Sequence, residues 1–151
     1  ACAVKIGVLL AGAPSDDVEN LYRFGEAMGL AFQLQDDYLD VYGDPKVFGK
    51  AIGGDITSNK KTFMLIKALQ KADGADKEEL EQWIRATDFD REEKVRAVTS
   101  LYDKLSIDQL AKDKMEIYYQ KALQAIAKVN VPDDKKAPLL AYAARMMKRE
   151  K

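Results

Sequence analysis

The stretch Phe32-Gln33-Leu34-Gln35-Asp36-Asp37-Tyr38-Leu39-Asp40 decides how this chain is read. Its carboxylates follow directly on Ala27 to Leu34, a run without a charged side chain. Read as a helix, the segment projects Asp36 and Asp40 from one face, with Asp37 about 100° round from Asp36. Gly25, Gly29, Phe32 and Gln33 fall near the same stripe. Gly43, Asp44 and Pro45 mark the helix end just beyond, where negative charge opposes the macrodipole. A bound divalent cation removes that conflict.

Burial decides whether the cation is needed. Like charges four residues apart sit roughly 5–6 Å from one another and repel by about 3 kcal/mol at an effective dielectric near 20. In bulk water the same pair costs under about 1 kcal/mol. In a cleft the trio calls for Mg²⁺ or protonation; on a wet surface it is a solvated acidic helix end. Both readings stand on these residues alone.

The remaining composition narrows the choice. The chain has 151 residues, one domain's worth, and a net charge of −1 without a basic block, so nucleic acid is not an expected partner. It has no histidine, which excludes His-based triads, His metal sites and the usual near-neutral base. A single cysteine, Cys2, forms no internal disulfide and fits a reducing, cytoplasmic setting. No apolar run reaches the roughly 18–20 residues a membrane span needs. Ala1 to Gly12 reads as the inside of an apolar helix, and the chain is expected to start partway through a larger protein.

Ala, Leu, Lys, Glu and Gln dominate without strand-like alternation, which predicts an all-α fold. Helices are expected over about residues 1–12, 15–42, 59–72, 77–86, 90–106, 108–128 and 135–150. Ser15 is the expected N-cap of the second, with Asp16 and Asp17 in its first turn. Asp90 caps another, with Glu93 three residues on. The charged second half, Lys71 to Lys128, reads as solvated helix surface.

A loop over about residues 43–58 carries Gly49-Lys50 and Gly53-Gly54-Asp55-Ile56, and Asn59-Lys60-Lys61-Thr62 follows. Glycines allow close backbone approach, lysines act as point charges for phosphate, and a helix start near Lys60 would add donors. Mg²⁺ takes a few carboxylates and completes its shell with phosphate oxygens. The acidic trio and the lysine loop therefore describe a metal–diphosphate site together. Otherwise the loop is a glycine-rich connector with exposed lysines.

The ordered motifs from Phe32 to Thr62 resemble the second aspartate-rich region of trans-isoprenyl diphosphate synthases, the polyprenyl synthetases that include farnesyl and geranylgeranyl diphosphate synthases. The resemblance implies an all-α isoprenoid-synthase bundle that condenses isopentenyl diphosphate with an allylic diphosphate. It implies that Mg²⁺ helps the allylic diphosphate leave, so that no side-chain base is needed. On the matching positions, Asp36 is the principal Mg²⁺ ligand, and Asp37 and Asp40 support it directly or through water. Lys50 and Lys60 grip the allylic diphosphate, Asp55 holds a metal-bound water, and Phe32 and Gln33 lie beside the reacting carbons. Asp36, Lys50 and Lys60 are thus the catalytic candidates. Taken alone, Phe32 reads as core and Lys61 as solvent-facing.

The family's first aspartate-rich motif and its early Gly-Lys-Arg region are absent from this sequence. Asp16-Asp17 is no substitute, because no third acid follows at the needed spacing. The chain is therefore expected to be the C-terminal half of a synthase, inactive alone, and to associate through uncovered apolar faces as a homodimer or higher oligomer. A non-catalytic subunit of a heteromeric synthase is the alternative, although that would favour decay of acids and lysines that are all present. A helical interaction module is the third. Product chain length is not legible here.

Overall fold

The computed structural model describes residues 1–44 and 52–148. Among these the chain forms eight helices and no strand. They are α1 (Cys2–Leu10), α2 (Ser15–Tyr42), α3 (Gly54–Thr57), α4 (Phe63–Lys71), α5 (Gly74–Arg85), α6 (Arg91–Lys104), α7 (Ile107–Ala127) and α8 (Asp133–Met147). The all-α expectation holds. The described residues fall into two compact units, residues 1–35 with 114–148, and residues 36–113.

The first unit is built on small residues at helical spacing. Phe24, Ala27 and Met28 of α2 meet Ala122, Ala125 and Ile126 of α7 and Ala143 of α8 in one buried cluster. Alanines on all three helices keep the backbones close, and Phe24 and Ile126 fill the remaining volume. Asp17 is buried in the first turn of α2, where its Oδ1 accepts from the backbone N of Asn130 at 2.8 Å. That bond gives the acid a partner beyond the dipole it was read from. Ser15 is the first helical residue rather than the cap: α2 starts one residue early, and Val18 N donates to Pro14 O at 3.1 Å. Helix α1 has no buried residue, and Ile6, Leu9 and Leu10 are exposed.

The second unit gathers around α6. Val98, Leu101 and Tyr102 form its buried stripe, and α6 packs against α3, α4 and α5. Asp90 caps it as expected, its side chain accepting from Glu93 N at 2.8 Å. Leu80 of α5 is fully buried, worth about 2–3 kcal/mol in apolar transfer. The end of α2 contributes Tyr38, Leu39 and Val41. Gly43 follows the last helical residue, and its place requires glycine because a Cβ there would stand within clashing distance of the Leu39 carbonyl oxygen.

The helix expected over 59–72 starts later. Thr62 is its cap, accepting from Leu65 N at 3.2 Å, and the helical residues are Phe63–Lys71. Ahead of it Asn59 takes a left-handed conformation (φ 51°), which turns the chain between α3 and α4. Lys60 therefore sits on a tight turn and not at a helix start, and the extra donors expected from a helix there are not its neighbours. A hydroxyl side chain two residues on is the better cap, and it moves the boundary.

Candidate active site

The last two turns of α2 supply Asp36, Asp37 and Asp40, and the turn after α3 supplies Lys60. The Lys60 ammonium bridges two carboxylates, Asp37 Oδ1 at 2.9 Å and Asp55 Oδ2 at 2.8 Å. Asp37 is buried with 8% of its side chain exposed, while Lys60 keeps 47% of its own in water. The lysine is thus reachable from solvent while it pairs with a buried Asp37 and a partly buried Asp55. Asp40 does different work: its Oδ2 accepts from Asp55 N at 2.8 Å, and its backbone oxygen accepts from Gly53 N at 2.6 Å. The acid at the helix end clasps the returning loop.

Gly53 makes that return possible. Its φ is +82°, and a Cβ would meet Val95 Cγ2 at 2.5 Å, so glycine is required on two counts. Gly54 approaches Asp40 less closely, with a Cβ position 3.3 Å from Oδ1. Arg91 holds the preceding residue by donating to the Ile52 carbonyl at 2.7 Å.

The electrostatics follow from this crowding. Hydrogen bonds to Asp55 and then Asp37 hold the Lys60 ammonium above the usual lysine range. Burial pushes Asp55 up, and the charges of Asp40 and Asp37 add to this against the pull of Lys60. Behind them lies a cavity of about 10 Å³, lined among others by Val41, Asp55, Asn59, Trp83, Lys94 and Tyr102, roughly the space of one water. Burial and the nearby Asp55 charge raise the Tyr102 hydroxyl above its ordinary value.

Asp36, Asp37, Asp40, Asp55 and Lys60 thus lie in one unit, with Asp37, Asp55 and Lys60 in direct contact. Among the described residues no three acids are arranged to hold a metal ion between them, so the trio is not a closed cage. Asp37 and Asp40 instead have protein partners, and Asp36 is half-buried. Lys50 lies outside the described residues. Phe32 and Gln33 belong to the other unit: Phe32 lines a cavity of about 300 Å³ with Tyr142, Arg145 and Met146, and Gln33 is exposed.

Lys94, within the stretch expected to be solvated surface, is buried instead. It is 1% exposed, and its ammonium donates to Asn59 Oδ1 at 2.8 Å while lying over the Phe89 ring. Its register was a usable signal, since it falls one turn before Val98 on the buried stripe.

An all-α fold with an acidic helix end clasped to a lysine-bearing turn points to the synthases of isoprenoid diphosphates. The chain belongs to the polyprenyl synthetase family, whose model matches residues 1–102. The geranylgeranyl diphosphate synthase of Sulfolobus acidocaldarius is 32% identical over 147 residues, covering 97% of this chain and 44% of that relative. A solved geranylgeranyl pyrophosphate synthase is 34% identical with a TM-score of 0.88, over 99% of this chain and 47% of that one. The geranylgeranyl pyrophosphate synthase of Corynebacterium glutamicum, solved with isoprenyl diphosphate and magnesium, is 28% identical with a TM-score of 0.81. That match covers 93% of this chain and 40% of the other. The expected isoprenoid-synthase fold is therefore the observed one. The chain spans under half the length of each of these proteins. Among the described residues no helix is long and apolar enough to cross a membrane.

Proposed function

We propose that the whole protein is a Mg²⁺-dependent prenyltransferase of the cytoplasm that joins isopentenyl diphosphate to an allylic diphosphate, and that this chain supplies the second acid-rich half of its site. The observation that carries the reading is the Lys60 ammonium, half in water, fixed between Asp37 and Asp55 at the end of the acidic helix. With Mg²⁺ offsetting the acids, a diphosphate arriving there would meet an ammonium already held in place, with little to reorient as the leaving group gains charge. Lys50 is assigned the same task from the sequence.

The residues fit Mg²⁺ by donor chemistry, since all are hard carboxylate oxygens. A few-carboxylate site suits them better than a closed cage: as the resemblance implies, Asp36 would be the principal ligand, with Asp37 and Asp40 acting directly or through water. When bound, the ion supplies Lewis-acid stabilisation of the leaving diphosphate. Asp55 holds Lys60 in place and orients a water, and Phe32 and Gln33 flank the hydrocarbon end. A relative has been solved with isoprenyl diphosphate and magnesium, which supports the choice of ion and of substrate class.

Calorimetric titration of the chain with inorganic pyrophosphate tests this. Saturable heat with Mg²⁺, lost without it and weakened at least tenfold in Lys60→Ala, is the expected result. Absence of metal-dependent binding would overturn the reading and favour a plain helical interaction module. The chain alone, which lacks the first acid-rich motif, is expected not to condense labelled isopentenyl diphosphate. Measurable product would contradict that.

A further inference from the structure

A buried lysine needs a reason, because a desolvated ammonium is costly. Among the described residues the Lys94 ammonium donates to the side-chain oxygen of Asn59 at 2.8 Å. The same amide spends its nitrogen on the Ile84 carbonyl at 3.0 Å. Asn59 is thereby tied to α6 on one side and to the last turn of α5 on the other. It is also one of two non-glycine residues with positive φ among those described, a conformation that side chains other than Asn and Asp rarely accept. The next residue is Lys60, whose backbone N donates to Asp55 O at 2.9 Å while its ammonium reaches Asp37 and Asp55.

We propose that Lys94 is a positioning residue: its buried ammonium holds Asn59 in the left-handed turn and so aims Lys60 at Asp37 and Asp55. Helix α6 is suited to this because it touches the loop at three successive points. Arg91 takes the Ile52 carbonyl, Lys94 takes Asn59, and Val95 abuts Gly53. The Phe89 ring lies 4.2 Å from the Lys94 ammonium and compensates part of its lost hydration. Burial lowers the Lys94 ammonium below the usual lysine range, as expected for a cation kept where water is scarce. A leucine or methionine would fill the same space more cheaply but would leave the Asn59 oxygen without its donor.

The proposal rests on the reading of Lys60 as the anion-holding residue, and the tests separate the two. Lys94→Met is expected to weaken Mg²⁺–pyrophosphate binding about tenfold, as if one charge-assisted hydrogen bond were lost. Adding Asn59→Gly is expected to restore binding to within about threefold, because glycine adopts the left-handed turn without a tether. A merely structural lysine would predict the opposite, with the double variant weaker than the single one. Hydrogen exchange of the unaltered chain supplies a readout independent of binding and of the variants' folding. The Asn59 side-chain amide and the Lys60 backbone hydrogen are expected to be protected and to exchange together. Fast exchange at either, wild-type affinity in folded Lys94→Met, or failure of the double variant to recover would each overturn the proposal. If the unaltered chain binds no pyrophosphate, the functional reading falls, and the exchange pattern alone decides the role of Lys94.

Discussion

Asp40 Oδ2 accepts a hydrogen bond from the backbone nitrogen of Asp55 at 2.8 Å, across a loop that begins where α2 ends. An acid placed against its own helix dipole thus closes the turn that returns toward it. Asp40→Ala should lower the unfolding free energy by about 1–2 kcal/mol, while Asp40→Asn, which keeps an acceptor oxygen, should lose less. Urea denaturation of both variants checks this, and equal losses would count against the clasp.

Gly53 meets two constraints, a positive φ and the Val95 side chain. Gly53→Ala should cost about 2–4 kcal/mol, the sum of a strained dihedral and an overlap. Val95→Ala in the same chain should recover the steric part only. Full recovery would show that the dihedral matters little.

Lys60 should give the chain a recognisable pH dependence. Its folded-state pKa lies above the unfolded one, chiefly through its bond to Asp55 and then Asp37. Its stabilisation is therefore complete below the unfolded lysine value of about 10.4 and disappears as pH climbs through the folded value. With nearly half the side chain in water, Lys60→Met should cost only about 1 kcal/mol at neutral pH. The difference between the two proteins should stay level through the neutral range and shrink only in strong alkali. Asp55 has the same sign in a lower window: its folded value is raised by burial, so stability falls as pH rises from about 3.9 to that value.

In the whole protein, Asp36→Ala should reduce kcat/KM by about 10²–10³, the size of losing one main electrostatic contact in the transition state. An unchanged kcat/KM would remove Asp36 from the assigned set.

Helix α1 carries Ile6, Leu9 and Leu10 at 56–85% exposure without a buried residue of its own. Light scattering of the chain should give a dimer or larger species, and Leu9→Glu with Leu10→Glu should shift it toward monomer. A monomer mass for the unaltered chain would contradict association through this face.

Much of this was legible in the residues. The 28-residue α2 follows from its spacing and its Gly43 stop, and the cap at Asp90 is a local hydrogen-bond pattern. The loop geometry was not legible. Asn59 turns left-handed because partners from α5 and α6 hold its amide, and those contacts are distant in sequence. The later start of α4 follows instead from a local signal, the Thr62 cap, whereas Lys94 looks like solvated surface in the sequence. Its burial depends on Phe89 and Asn59 meeting it in space. The acids could be found from spacing, but the division of labour among them could not: Asp37 pairs with Lys60 while Asp40 holds the loop.

The sole tryptophan, Trp83, lines the small cavity that Asp55, Asn59 and Lys94 also border. The chain therefore carries its own optical gauge behind the acids and the lysine. Any rearrangement of that turn should register as a change in indole emission, so occupancy can be followed in real time without attaching a dye.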